Sequence, residues 1–299
     1  MNKEELFEKL NRGILEERLK TFERNLMRNI PRIQLSGGVG RIVDHFFGKH
    51  VVVVGAGPSL EEHIPVLKRY QHHRDVVMLC TDMALLPLVK RGIKPGFVIS
   101  CETVPVDFFG LVDTHDMHML AFSCISPLNL LRWKGDVSFY NWMIHKPPYT
   151  DLWHRAGKEL GFVATGNTVT TQAVSFALGC RVESLIIAGN DLGFMRQYYL
   201  RGTVTHHGYG WRNDRFSGME TLEQAAIRNR RDYILKRGED TYYTSHQFLA
   251  AKLWLEDLLP EYRTRVYDAS IPGCSENAVE KIGLKKYLDK LDTRSRKRR

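Results

Sequence analysis

Apolar residues along this chain fall into two rhythms. From residue 3 to 29 they recur at helical spacing, with Leu6, Leu10, Ile14, Leu15, Leu19, Phe22 and Leu26 set among charges, which predicts an amphipathic helix. Pro31 and the cluster Gly37-Gly38-Val39-Gly40 mark its expected end, so residues 1–45 read as an appended helical segment. Beyond it, short unbroken apolar runs alternate with helical stretches. Strands are predicted near 50–54, 76–80, 97–101, 117–123, 137–140 and 184–188, and helices near 60–70, 83–91 and 168–178. Val51-Val52-Val53-Val54 has the profile of a strand buried on both faces, as in a parallel sheet. The alternation predicts an α/β fold: a mostly parallel, Rossmann-like sheet over residues 46–215 with helices on both faces. Residues 216–290 read as a mainly helical part of the same domain, with helices near 220–236 and 244–258 and a short strand near 265–268.

Length and composition fit that picture. With 299 residues, 43% of them hydrophobic, the chain can bury a substantial core. No apolar run approaches the length of about 20 residues that a membrane span needs, and the charged start Met1-Asn2-Lys3-Glu4-Glu5 lacks a signal-peptide core, so a cytoplasmic location is expected. Five scattered cysteines, Cys80, Cys101, Cys124, Cys180 and Cys274, predict buried thiols rather than disulfides or a zinc site. The net charge of +9 owes five charges to Arg294, Arg296, Lys297, Arg298 and Arg299, in a tail (291–299) read as disordered. The remaining body is only modestly positive, which suits an anionic small substrate better than specific nucleic-acid binding.

Candidate chemistry gathers at predicted strand ends. The turn Gly55-Ala56-Gly57-Pro58-Ser59-Leu60 leads from strand to helix, as nucleotide-phosphate loops do. Its glycines allow positive φ and close backbone approach. It is neither a P-loop nor a full dinucleotide fingerprint, and Ser59 with Glu62 reads as a capping box that uses some amides, so a phosphate is expected on the glycine backbone ahead of the helix. Asp82, Glu102 and Asp191 each follow a predicted strand, and in a parallel sheet those ends share one edge with the Gly55 loop. They suit ribose recognition, a general base, or Mg²⁺ held against a diphosphate. Thr165-Gly166-Asn167-Thr168, before the helix at 168–178, is either a second anion loop or a plain cap by Asn167 or Thr168. After Gly189-Asn190-Asp191-Leu192 a loop is expected over Arg196 to Arg215. It carries Thr205-His206-His207-Gly208 as acid/base candidates and Arg196, Arg201, Arg212 and Arg215 as anion contacts.

These motifs, with Thr81-Asp82, Gly92-Ile93-Lys94-Pro95, Phe97-Val98, Glu102 and Thr205-His206, resemble the motility accessory factor glycosyltransferases. Those proteins share a domain with the archaeal 6-hydroxymethylpterin diphosphokinase-like proteins. The resemblance runs from about 48 to 210, and more weakly to about 285 through Val266-Tyr267-Asp268-Ala269 and Pro272-Gly273-Cys274. It implies a sialyltransferase-like domain that moves a nonulosonic acid from a CMP-sugar donor to a hydroxyl of an acceptor protein or glycan, as in flagellin modification. It also implies that Gly55, Gly57 and Ser59 line the donor phosphate site, that Asn167 and Asp191 lie nearby, and that His206 is the base. The family's Gly-Gln-Asp-Leu is Gly189-Asn190-Asp191-Leu192 here. Two other readings stand beside it. One is a diphosphokinase passing pyrophosphate from ATP to a hydroxymethylpterin, with Asp82, Glu102 and Asp191 holding Mg²⁺. The other is a nucleotide-binding protein without catalysis; assembly as a homo-oligomer is compatible with each.

Overall fold

The computed structural model describes residues 3–210 and 218–297. In chain order the elements are α1 (Lys3–Ser36), α2 (Val43–Phe46), β1 (His50–Val54), α3 (Ile64–Tyr70), β2 (Val76–Thr81), α4 (Asp82–Lys90), β3 (Phe97–Ser100), β4 (His118–Phe122), α5 (Pro127–Arg132), β5 (Asp136–Trp142), α6 (Tyr149–Ala156), β6 (Phe162–Val163) and α7 (Val169–Gly179). There follow β7 (Ser184–Ala188), α8 (Val204–Gly210), α9 (Met219–Arg228), β8 (Tyr233–Arg237), β9 (Asp240–Thr244), α10 (His246–Leu258), β10 (Arg265–Asp268), β11 (Glu280–Lys281) and α11 (Leu284–Lys297).

Nine strands form one sheet in the order β11-β10-β7-β1-β2-β3-β4-β5-β6, and each adjacent pair in it is parallel. Val51 to Val54 are completely buried at its centre, as an apolar run covered on both faces must be. The chain lays down β1 to β6 in one direction and then returns to place β7 on the other side of β1. That reversal opens a crevice beyond the carboxyl ends of β1 and β7. Register sharpens it: Val54 is level with both Cys80 and Ala188, so the turns after β1, β2 and β7 leave the sheet at one height.

Four expectations are corrected. The first helix runs through Pro31 to Ser36, and it is no appendage: Phe22 and Leu26 are fully buried. The amides of Asn25 and Asn29 donate to the carbonyls of Thr103 and Cys124 and of Ser123 and Ile125, pinning α1 over the β4 end. The helix expected at 220–236 stops at Arg228, and the antiparallel hairpin β8–β9 follows, a separate two-stranded sheet. Histidines 206 and 207 stand on α8 rather than in an open loop, and the stretch read as a disordered tail continues α11 as far as Lys297. All five cysteines are free thiols, and four are buried.

Candidate functional site

The turn after β1 does not form the expected capping box. Pro58–His63 is a short 3-10 helix capped by Gly57 with no side-chain bond, so Ser59 lies inside it and Glu62 does not reach back. Ser59 instead points across the crevice to the turn after β7. Its backbone N–H donates to Asp191 Oδ2 at 2.9 Å and its hydroxyl to Asp191 Oδ1. Gly57 N–H donates to Gly189 O at 2.7 Å. Gly57 has φ −70°, ordinary for any residue. Glycine is needed there because a Cβ would stand 2.5 Å from Asp191 Cγ. Of the amides expected to hold a donor phosphate, those of Gly55, Gly57 and Ser59 are thus engaged by Ala188, Gly189 and Asp191.

Asp191 is held from a third side. Ile271 N–H approaches Oδ1 at 3.4 Å and Gly273 N–H donates to the Asp191 carbonyl at 2.7 Å. Burial pushes its carboxyl up to about 7, against the pull of the Ser59 and Ile271 bonds. Asp82, 3% exposed at the start of α4, accepts Ser100 Oγ at 2.6 Å and its neighbour Met83 N–H at 2.7 Å. Burial raises it to about 7 as well, with the nearby Glu102 charge adding to the rise. Glu102 Oε1 accepts Thr103 and Val104 N–H and lies 3.8 Å from Arg18 of α1.

These groups share one cleft of about 530 Å³ along the carboxyl edge of the sheet. Of the residues singled out from sequence, Ala56, Gly57, Asp82, Glu102, Thr165, Asn167, Thr168, Gly189, Asn190 and Asp191 line it. Gly55, Pro58, Ser59 and Gly166 do not line it. Gly166 packs against Trp254, and its N–H donates to Thr171 Oγ1. Thr168 is the cap of α7, its hydroxyl accepting Thr171 N–H at 3.3 Å.

His206 is a correction. It is 5% exposed and does not line the cleft; its ring nitrogens face Thr203 Oγ1 at 2.8 Å and Glu223 Oε2 at 3.4 Å. Glu223 in turn accepts Tyr198 N–H at 3.0 Å, so His206 supports the wall that carries Tyr198 and Tyr199. Arg196 and Arg201 are exposed and off the cleft. His207 belongs to α8, but its side chain, like the expected contacts Arg212 and Arg215, lies outside the described residues.

The cations that do face the cleft are Arg18 and Arg230, neither of them evident in the sequence. Arg18 sits on the polar side of a periodic helix and Arg230 on the turn before β8, and no strand-end signal marks either. Arg230 lies 4.7 Å over the Tyr198 ring, against which Phe248 stacks at 4.8 Å. Gln172, buried in α7, accepts Tyr140 OH and Trp142 Nε1–H and donates to Thr165 Oγ1, fixing the cleft floor. Among the described residues no three His, Cys, Asp or Glu side chains gather closely enough to hold a metal ion. The Mg²⁺ cluster expected of Asp82, Glu102 and Asp191 is therefore not formed by all three together.

A parallel α/β protein with a polar, aromatic-walled cleft at the strand crossover is the class these features define. The family model described as 6-hydroxymethylpterin diphosphokinase MptE-like matches residues 24–197, more than half of the sequence, and the chain belongs to that family. The match begins inside α1, just ahead of Asn25 and Asn29. No curated protein matches the chain. Among solved structures it is similar to a MAf glycosyltransferase from Magnetospirillum magneticum AMB-1, with a TM-score of 0.56 and 17% identity over 80% of this chain and 34% of that one. This chain spans about a third of that protein's length, and the likeness is one of fold. Among the described residues no helix is long and apolar enough to cross a membrane.

Proposed function

We propose that this protein is a glycosyltransferase that moves an acidic sugar of the nonulosonic type from a CMP-activated donor to a hydroxyl acceptor. The carrying observation is Asp82: a carboxyl group on the cleft, buried, firmly held by Ser100 and Met83, and titrating near neutrality. A base poised near the working pH is what removing a hydroxyl proton requires. In the step, the acceptor hydroxyl passes its proton to Asp82 as its oxygen bonds to the anomeric carbon of the sugar. The bond from that carbon to the phosphate oxygen breaks, and CMP leaves with the electron pair. Arg18 and Arg230 supply positive charge for the leaving phosphate and the sugar carboxylate. Glu102 sets the position of Arg18. The fold shared with a glycosyltransferase supports the reading.

A second reading keeps the reaction suggested by the family description, ATP-dependent diphosphate transfer to a pterin. Asp82 and Glu102 favour it as a neighbouring carboxylate pair, since Mg²⁺ is commonly bound through one or two carboxylates plus substrate phosphates.

Thermal-shift titration with CMP, CDP, ATP and AMP, each with and without Mg²⁺, separates the two, because a ligand of the native state raises its melting temperature by mass action. Metal-independent stabilisation by CMP, followed by CMP release from a CMP-sugar that Asp82→Asn slows at least about a hundredfold, is the expected result. Stabilisation by ATP only with Mg²⁺, and AMP formation abolished by EDTA, would replace it with the diphosphokinase.

A further inference from the structure

Five helical segments begin on the cleft: those after β1, β2 and β6, and α6 and α10, which reach it through Tyr149 and Gln247. The first carries Glu61 in its opening turn, and its approach is filled by the Asp191 carboxyl group. The second, α4, opens with Asp82. The third, α7, is eleven residues long and has no acid in its first turn. Thr168 caps Thr171 N–H, and Thr171 Oγ1 takes Gly166 N–H, so the capping bonds leave the amides of Val169 and Thr170 unused. First-turn amides have no acceptor within their own helix, and they carry the positive end of its dipole. Thr168, Val169 and Thr170 all line the cleft.

A second feature points to a ligand independently. Asn190, at the crossover between β1 and β7, is 6% exposed, and its Nδ2 has no hydrogen-bond partner among the described residues. Leaving such a donor unpaired is unfavourable. Asn190 lines the same cleft as the α7 turn. Arg230 is linked to the α7 turn through a chain of contacts. Gln247 Nε2 donates to Asn167 O at 2.7 Å, the adjacent Phe248 stacks on Tyr198, and Arg230 lies over that ring.

We infer that a nucleoside monophosphate spans this cleft with its phosphate on the Val169 and Thr170 amides facing Arg230. Its nucleoside lies at the crossover, where Asn190 Nδ2 donates to an acceptor on the base or ribose. The inference rests on the nucleotide-donor reading above and moves the phosphate away from the Gly55–Ser59 turn, where the amides of Gly55, Gly57 and Ser59 are already occupied. An anion there meets helix amides and a guanidinium, whereas each other helix start already holds a carboxyl group: Glu61 and Asp191 after β1, Asp82 in α4, Asp151 in α6, and Asp232, which accepts His246 N–H at the start of α10.

The test is calorimetric titration of CMP and of cytidine into the full chain at pH 8. Val169→Asp places a negative charge in the first turn, where an acid suits the helix, and Val169→Asn is its neutral counterpart. Val169→Asp is expected to weaken CMP at least tenfold relative to Val169→Asn while cytidine binds both alike. Arg230→Gln should also weaken CMP and spare cytidine. Asn190→Ala should weaken both ligands by about the same factor, on the order of tenfold. Equal CMP affinity in Val169→Asp and Val169→Asn would overturn the phosphate placement and leave the nucleotide reading intact. A wild-type protein that binds none of CMP, CDP, ATP or AMP would overturn that reading, and this inference with it.

Discussion

Gly57 lies directly against the carboxyl group of Asp191: a Cβ added to Gly57 would stand 2.5 Å from Asp191 Cγ and 2.6 Å from Oδ2. Two turns from opposite sides of the crossover are thus interlocked by a missing side chain on one and a buried acid on the other.

Gly57→Ala should therefore destabilise through crowding alone, since φ at this position is unstrained. The expected loss is about 1–3 kcal/mol, the range for overpacking. In an Asp191→Ala background the opposing Cγ is gone, so the same substitution should cost much less. Urea midpoints for the four members of this cycle measure the coupling, and additive costs would show that the two residues do not interlock.

The central strands and the strand-end acids were legible in the sequence because both depend on the sheet. A fully apolar run such as Val51–Val54 declares a buried strand, and Asp82, Glu102 and Asp191 each follow closely after the end of such a run. The hairpin β8–β9 was not legible. Tyr233–Arg237 alternates only between half-buried and exposed positions, so its residues show no apolar alternation, and its charges imitate a helix surface. Arg18 and Arg230 escaped for another reason: α1 and the turn before β8 reach the cleft by tertiary packing, which no local spacing encodes. The hydrogen bonding of the Gly55–Ser59 turn was not legible either, because the acid that accepts Ser59 N–H lies 132 residues away.

Stability should depend on pH in an unusual direction near neutrality. Asp82 and Asp191 both titrate at about 7 in the fold, raised by burial from 3.8. The folded state therefore binds more protons than the unfolded chain between those values. The stabilisation is complete below the unfolded pKa and is lost as pH rises through about 7, an upper bound on the order of 4 kcal/mol per group. Urea unfolding at pH 5.5 and pH 8 should show Asp82→Asn gaining on the wild type at the higher pH. An unchanged difference between the two proteins at both values would show that Asp82 is ionised throughout.

Removal of the Asn25 and Asn29 amides tests whether α1 is part of the domain. Each donates to two buried carbonyls, at 2.8 and 3.2 Å for Asn25 and at 3.0 and 2.8 Å for Asn29. Asn25→Leu and Asn29→Leu leave those acceptors unpaired, and each should cost about 1–3 kcal/mol in chemical denaturation. If α1 were a detachable arm, both variants would unfold at the wild-type urea concentration.

A turn built on a buried ion pair steadies Asp191 from behind. Asp268, 1% exposed, accepts Ser270 N–H and Cys274 N–H at 2.8 Å each and Lys281 Nζ at 2.6 Å. Lys281 also reaches the carbonyls of Ser270 and Pro272, and Arg237 donates to Pro272 O at 2.7 Å. The turn so fixed supplies Ile271 N–H and Gly273 N–H to Asp191, and Ser270 Oγ accepts Asn190 N–H at 2.9 Å. Lys281→Met leaves the Asp268 charge buried without its cation, which should cost about 3–5 kcal/mol. In Lys281→Met/Asp268→Asn no charge is stranded, and much of that loss should return. The double variant still lacks the ammonium that gathers the two carbonyls, so the turn behind Asp191 and Asn190 is looser than in the wild type. Its CMP affinity should therefore stay below wild type even where its urea midpoint recovers. Recovery of both together would assign the Lys281 pair to stability alone, with no hold on the crossover.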